Sequence, residues 1–155
     1  MNWTPDQAQI ERSNIYKMMQ SNHFTSYPDF WRWSVTKKES FWSETIDRLG
    51  IRFKQRFSKV LDTSKGNENA KWLLDAQFNI VDSCFQNTDE ATAIIFQKAD
   101  GTLQKVTQKE LENLVNRIAN GLTNLNVGSG GTIAIDTAMT LEAVAIYLGA
   151  IKAGV

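Results

Sequence analysis

The C-terminal third of the chain constrains its fold most strongly. From Thr107 to Val155 the sequence predicts a helix, a glycine-rich turn, a strand and a second helix, in that order. A strand followed by an apolar helix is half of a parallel β-α-β unit, and the returning strand is expected after Gly154. Because the sequence ends at Val155, we expect an α/β fragment that is interrupted within this unit.

Local signals before and inside this stretch are strong. The segment Ala91 to Gln97 predicts a strand, Asp100-Gly101 a hairpin turn, and Leu103 to Val106 the return strand. Thr107 and Glu110 have the spacing of a capping box that starts a helix. The helix keeps one apolar face, formed by Leu111, Leu114, Val115, Ile118, Leu122 and Leu125.

The glycines at 127–132 allow two interpretations, a phosphate-binding loop or a tight turn. They stand between a helix and a strand, with no helix N-terminus behind them to hold an anion, and the Lys-Ser/Thr pair of a phosphate loop is absent. The position of the glycines between a helix and a strand therefore favours a tight turn that leads into a strand at Thr132 to Asp136. Thr140 is expected to cap the last helix.

The first half of the chain has a different composition. It contains both prolines and all five tryptophans, Trp3, Trp31, Trp33, Trp42 and Trp72. Thr4-Pro5-Asp6-Gln7 predicts the start of a helix that runs to about Gln20, with an apolar stripe at Ile15, Met18 and Met19. This stripe is typical of a core, although a methionine-rich surface also suits a binding groove.

Two further helix starts follow in the aromatic region. Ser26 to Asp29 predicts a short helix, and Thr36 to Glu39 reads as a capping box for a helix that ends at Gly50. Trp42, Ile46 and Leu49 are expected to share one face. The aromatic residues fit either a stacking platform for a nucleotide or carbohydrate or a packed helical layer, and the zero net charge favours packing. Residues 51–69 show no clear period, and Thr63 to Asn69 predicts a surface loop.

Few residues are candidates for chemistry. Asn79 is a predicted N-cap, and Cys84 falls on the apolar face of the short helix behind it, which indicates a buried, inert thiol rather than a nucleophile. Asp136 ends the predicted strand near the edge where open α/β sheets bind ligands, but a solvated carboxylate is the ordinary interpretation. We name no catalytic, cofactor-binding or metal-binding residue.

Composition excludes several classes of function. Lys and Arg number 17 and Asp and Glu number 17, so the chain lacks the basic surface that nucleic acids or anionic membranes require. A single cysteine and a single histidine exclude an internal disulfide and a His-rich metal site, and favour a reducing, cytoplasmic location. No secretory signal and no apolar run long enough for a membrane span are predicted.

Four segments together resemble the N-terminal part of the AMP-forming acyl-CoA synthetases, of the acetyl-CoA synthetase type within the adenylate-forming superfamily. They are the aromatic run Tyr27 to Trp42, the segment Trp72 to Cys84, the hairpin and helix start Gly101 to Leu111, and the turn, strand and helix from Val127 to Val144. The long opening is most similar to plant peroxisomal acyl-activating enzymes and their bacterial relatives. Gly131 and the segment Asp136 to Ala138 depart from the family pattern and weaken any assignment of substrate.

The resemblance implies an architecture and an activity. Residues 1–88 would form the helical N-terminal extension, and 89–155 the beginning of a large α/β AMP-binding domain. The whole enzyme would join a small carboxylic acid to CoA through an acyl-adenylate, using ATP and Mg²⁺. In this family the catalytic motifs lie beyond the position of Val155, so the fragment is expected to be inactive alone and to have the remainder of its enzyme as partner.

Two alternatives remain open. One is an adenylating enzyme that loads a carrier protein instead of CoA, and the other is a non-catalytic structural or interaction module. A peroxisomal address, in a eukaryotic member, would lie at the C-terminus of the whole enzyme.

Overall fold

The computed structural model describes residues 3–155, so Met1 and Asn2 lie outside this range. The chain divides into two compact units. The first contains the residues up to Leu49 together with Lys59–Leu74, and the second contains Gly50–Ser58 together with Asp75–Val155. Within the described range no helix is both long and apolar enough to cross a membrane.

The first unit begins with four helices. They are α1 (Gln7–Arg12), α2 (Asn14–Ser21), α3 (Tyr27–Thr36) and α4 (Lys38–Arg48). The prediction of one helix from Thr4 to Gln20 was wrong in two respects. Asp6, not Thr4, caps α1 in a capping box with Gln9. Ser13 interrupts the helix because its backbone is extended and its hydroxyl accepts the Tyr16 amide proton at 3.0 Å, which starts α2.

The next helix boundaries were predicted with mixed success. Ser26 caps α3 as expected. The capping box at Thr36 was wrong, because Thr36 ends α3 and its hydroxyl donates to the Arg32 carbonyl at 2.7 Å, while α4 begins after Lys37 without a side-chain cap. Gly50 follows α4 with a φ of 63°, in the left-handed conformation that glycine adopts most easily, so the predicted helix end is confirmed.

A short antiparallel hairpin completes the first unit. Strands β1 (Lys59–Asp62) and β2 (Lys71–Leu74) pair with Leu61 opposite Trp72. The loop between them contains a single turn of 3-10 helix at Asn67–Asn69, in the segment predicted as a surface loop. The hairpin was not predicted because Val60 and Leu61 are both buried, so β1 lacks the alternation that identifies a half-buried strand.

The second unit combines a hairpin with two long helices. Its elements are α5 (Val81–Cys84), β3 (Thr92–Gln97), β4 (Leu103–Thr107), α6 (Gln108–Asn124) and α7 (Leu141–Ala153). The predicted β3–β4 hairpin, the Thr107–Glu110 capping box and the Thr140 cap are confirmed. The core of this unit is formed by Val81, Val106, Leu111, Val115 and Ala145.

The predicted strand at Thr132 to Asp136 was wrong. These residues belong to no strand, because a strand requires a hydrogen-bonded neighbour. Within the described residues, β1 pairs with β2 and β3 pairs with β4, and neither hairpin takes up a third strand. The start of α5 also differs from the prediction: Ile80 occupies the N-cap position, and the Asn79 side chain accepts the Val81 amide proton at 3.1 Å from one residue further back.

Candidate functional site

The glycine segment at 127–131 forms a turn, as the sequence predicts. The Gly131 amide donates to the Gly128 carbonyl at 2.8 Å, and the Gly130 amide donates to the Gly154 carbonyl at 3.2 Å. These two amides therefore bind main-chain carbonyls of the protein and do not form the free cradle that a phosphate needs. No helix starts at the turn, since α7 begins only at Leu141.

Asp136 does not occupy the position that made it a candidate. It is exposed and lies in an irregular segment, outside any strand. Asp136 therefore does not end a strand at the edge of a sheet. Across residues 3–155, no three His, Cys, Asp or Glu side chains are grouped so that they could hold a metal ion.

The prediction of a buried thiol at Cys84 was wrong, because the side chain is exposed. Its sulfur donates to the Ile80 carbonyl at 3.5 Å, within the single turn of α5. A helix of one turn buries only one side: Val81 is fully buried, whereas Ile80 is 41% exposed. Cys84 therefore shares the solvent side with Ile80, which the i, i+4 spacing alone does not reveal.

The groups with shifted pKa values lie at the surface. A hydrogen bond and the charge of Asp89, 2.7 Å away, raise the pKa of Lys109. Hydrogen bonds from Thr102 lower the pKa of Asp100 in the β3–β4 turn. Such shifts arise from local ion pairs and turns, and these residues do not line a common cavity. They therefore do not mark an acid-base site.

The first unit contains an aromatic cluster, which we define as Phe24, Phe30, Trp33 and Phe41. Ring centroids lie 5.5–6.1 Å apart, with Phe30 and Phe41 inclined at 70° and Trp33 and Phe41 at 81°. In this arrangement the edge of one ring packs against the face of the next. The four rings thus pack against one another in a hydrophobic core. This supports the packing interpretation over a nucleotide-stacking platform.

Residues on the apolar faces predicted for α2 and α4 are not all buried. Met18 and Met19 are buried as expected, but Ile15 is 51% exposed. The three residues predicted to share a face of α4 differ in burial: Ile46 is buried, whereas Trp42 and Leu49 are exposed. Trp42 instead packs edge-to-face on Trp72 of β2, with ring centroids 5.8 Å apart.

An aromatic groove of about 500 Å³ lies beside this cluster. Its walls include Met18, Tyr27, Phe30, Trp31 and Leu49. The groove was not predicted, although Tyr27 and Trp31 stand one helical turn apart on α3 and are both more than half exposed.

Several polar side chains of the aromatic groove are already engaged in hydrogen bonds. Arg48 donates to Glu44 at 2.7 Å, and Glu44 also accepts from Asn22 at 2.8 Å. Lys17 also lines the groove and is exposed. The Ser34 and Thr45 hydroxyls donate to the Trp31 and Phe41 carbonyls of their own helices, so the groove mainly offers apolar contact area.

A second hollow, of about 410 Å³, lies in the second unit. It carries charges of both signs, with Arg52, Lys54 and Lys152 near Asp82 and Glu112. The mixed charges do not select an anion or a cation.

Comparison with known proteins finds two family models that match the chain. A family model described as the N-terminus of acetyl-coenzyme A synthetase matches residues 27–84. A second, described as AMP-binding enzyme, matches residues 81–155. The two matches follow one another along the chain and together cover nearly all of it from the start of α3.

Individual relatives agree with these matches. The chain is 32% identical to the probable peroxisomal acyl-activating enzyme 18 of Arabidopsis thaliana, over 98% of the chain and 23% of the relative. It is 31% identical to acetyl-coenzyme A synthetase of Thiobacillus denitrificans, over 90% of the chain and 21% of the relative. The chain thus spans about a quarter of the length of the curated relatives that it matches.

A solved structure shows the same fold. Acetoacetyl-CoA synthetase from Streptomyces lividans superposes with a TM-score of 0.86 at 22% identity, over 98% of this chain and 25% of that chain. The architecture is therefore the N-terminal region of an adenylating enzyme fold. The chain belongs to the AMP-forming acyl-CoA synthetases of the acetyl-CoA synthetase type and corresponds to the N-terminal part of such an enzyme.

Proposed function

We propose that the chain is the N-terminal portion of an AMP-forming acyl-CoA ligase. The whole enzyme would convert a carboxylate, ATP and CoA into acyl-CoA, AMP and pyrophosphate through an acyl-adenylate. The observation that carries the proposal is the consecutive match of the two family models over 27–84 and 81–155. The likeness in fold over 98% of the chain supports it.

Within that enzyme the chain would act as scaffold. We propose that residues 1–88 form the helical extension and 89–155 the beginning of the AMP-binding domain, a division that the shift from aromatic to aliphatic composition supports. Residues 89–155 would then contribute α6, α7 and the β3–β4 hairpin to the large domain, and we assign no catalytic residue to the chain.

ATP, Mg²⁺ and CoA are the cofactors proposed for the whole enzyme. Among residues 3–155, the glycine turn does not offer these groups a phosphate cradle, and no grouping of side chains suits Mg²⁺. The turn at 127–131 uses its Gly130 and Gly131 amides internally, and residues 3–155 show no cluster of metal-binding side chains. No step of the reaction is therefore assigned to the chain, whose proposed partners are the remainder of the enzyme and, for the enzyme as a whole, a small carboxylic acid.

We propose a cytoplasmic location for a bacterial parent enzyme. A peroxisomal location is the counterpart for a eukaryotic parent, since the Arabidopsis relative is described as peroxisomal. Immunofluorescence of the full-length protein in its native cell distinguishes the two.

The proposed activity is tested by carboxylate-dependent exchange of labelled pyrophosphate into ATP, using the full-length protein and a panel of short and aromatic acids. We expect exchange with at least one acid, because adenylation is reversible in this family. CoA and a pantetheine-bearing carrier protein are then offered as acceptors. Transfer to the carrier alone would favour the carrier-loading alternative, and absence of exchange with every acid would favour a non-catalytic module.

A further inference from the structure

The C-terminal end of α7 is held by a side chain from a distant part of the sequence. The last turn of a helix leaves carbonyl groups without donors in the helix itself. The Asn79 Nδ2 group donates to the Ile151 carbonyl at 2.8 Å, which also accepts the Gly154 amide proton at 3.0 Å, and to the Lys152 carbonyl at 3.3 Å. Residue 79 lies 72 positions from Ile151, so this contact is a long-range helix cap.

The oxygen of the same side-chain amide also forms a hydrogen bond. Asn79 Oδ1 accepts the Val81 amide proton at 3.1 Å, at the start of α5. One side chain therefore binds the beginning of one helix and the end of another. The amide supplies a donor and an acceptor at once, whereas a carboxylate only accepts and an ammonium group only donates.

The glycine turn joins the same junction. Gly154 has a φ of 81°, and its carbonyl accepts the Gly130 amide proton at 3.2 Å. A Cβ atom at Gly154 would lie 3.4 Å from Ser129 Cα, which shows how closely the two segments approach. The Val155 amide donates to the Ala150 carbonyl at 2.9 Å and completes the helix end.

The junction connects the two segments that the family models distinguish. Asn79 lies within 27–84 and outside 81–155, whereas Ile151, Gly154 and Gly130 lie within 81–155. We propose that Asn79 is a conformational clamp, through which the acetyl-CoA synthetase N-terminal segment fixes the exit of α7 and the glycine turn of the AMP-binding segment. The two segments therefore form one cooperative structure at this junction.

Hydrogen exchange of the full-length protein tests the clamp. In Asn79→Ala we expect amides in 148–155 and 127–131 to exchange about tenfold faster than in the wild type, the factor for a loss of about 1.4 kcal/mol. Asn69→Ala is the matched control, because Asn69 also donates to a carbonyl but within its own loop, at 3.0 Å to Lys65. In this control the exchange rates of both peptides should equal those of the wild type.

A second variant separates the donor from the acceptor. Asn79→Asp keeps the acceptor for Val81 but places a carboxylate against the carbonyls of α7. We expect exchange in 148–155 at least as fast as in Asn79→Ala at neutral pH. It should return toward the wild-type ratio as the pH falls through the carboxyl pKa, since a protonated carboxyl group donates.

Three results would overturn the proposal. The first is wild-type exchange in 148–155 for Asn79→Ala, the second is faster exchange confined to residues near 79–84, and the third is an Asn79→Asp variant without pH dependence. Should Asn79→Ala fail to fold, Asn79→Ser retains one hydroxyl donor, and a smaller increase in the same two peptides is expected. An unchanged Asn79→Ser would again count against the clamp.

Discussion

The two units of the chain build their cores from different side chains. In the first unit Phe30 is surrounded by other aromatic rings, with Phe24, Trp33 and Phe41 at centroid distances of 5.7–6.1 Å. In the second unit the largest fully buried side chains are Val81 and Val115, and Gly149 permits α6 and α7 to approach closely. The first core is therefore built from large planar rings and the second from small aliphatic side chains.

This difference has a functional consequence. The first unit retains an aromatic groove of about 500 Å³ and exposes Tyr27, Trp31 and Trp42. Exposed apolar area of this kind is typical of surfaces that contact another protein or domain. The second unit instead fixes backbone geometry, through the capping box of α6 and the Asn79 contact at the end of α7. Mutations in the two units should therefore differ in the size and in the cause of their effects.

The largest effect is expected for Phe30→Ala. Phe30 is 5% exposed, and removing the ring deletes the centre of the aromatic cluster. Such truncations cost about 3–5 kcal/mol of unfolding free energy. Denaturant-dependent hydrogen exchange in peptides from α2 to α4 of the full-length protein measures the loss. Trp31→Ala, whose side chain is 54% exposed, is the neighbouring control and should cost much less. Equal losses would contradict an aromatic core centred on Phe30.

Gly149→Ala tests the close contact of the second unit. A Cβ atom at position 149 would lie 2.6 Å from Ile118 Cγ2 and 2.9 Å from Ile118 Cβ. We expect a loss of about 1–3 kcal/mol from overpacking. Exchange in peptides from α6 and α7 reports this loss.

Gly121→Ala is the matched control for Gly149→Ala. Gly121 lies in α6, and a Cβ atom added there would have no neighbouring atom within 4 Å. Alanine there should raise stability by about 0.5–1 kcal/mol, because glycine is unfavourable inside a helix. If both substitutions stabilised the protein, α6 and α7 would not be in contact at Gly149.

Thr107→Ala removes the cap of α6. The Thr107 hydroxyl accepts the Glu110 amide proton at 3.2 Å, and Glu110 Oε2 accepts the Thr107 amide proton at 2.8 Å. We expect a loss of about 1 kcal/mol. The measurement is exchange in the first turn of α6, and Thr107→Ser, which keeps the hydroxyl, should restore most of the protection. If Thr107→Ser did not restore this protection, the loss in Thr107→Ala would be due to packing and not to the hydroxyl cap.

The smallest effect is expected for the Trp42–Trp72 pair. Both rings are partly exposed and meet edge-to-face at 5.8 Å. A double-mutant cycle with Trp42→Leu and Trp72→Leu should give a coupling energy near the lower end of about 0.5–1.5 kcal/mol. Thermal unfolding of the four proteins provides the values. Strict additivity would show that the hairpin and α4 are not coupled through these rings.

Local signals account for the parts of the fold that the sequence predicts. The Asp100-Gly101 turn, the Thr107–Glu110 box and the Thr140 cap each depend on residues within four positions of one another, and all three are present. The family was also identifiable, because the order of loose motifs along the whole chain is more specific than any one of them.

Features that depend on distant partners were not predictable. A strand at Thr132 to Asp136 requires a neighbour that its own sequence does not specify, and the exposure of Cys84 depends on what covers a one-turn helix. The hairpin β1–β2 lacks an alternating pattern. The contact of Asn79 with Ile151 spans 72 residues, and a sequence pattern records only that Asn79 suits a helix start.

We propose above all that these 155 residues form scaffold for an acyl-CoA ligase whose reaction takes place elsewhere in the enzyme. The most direct test measures carboxylate- and ATP-dependent acyl-CoA formation by the 155-residue chain and by the full-length protein, in parallel. We predict product from the full-length protein and only background from the chain. Product above background from the chain alone would place catalytic residues within it and contradict the scaffold role.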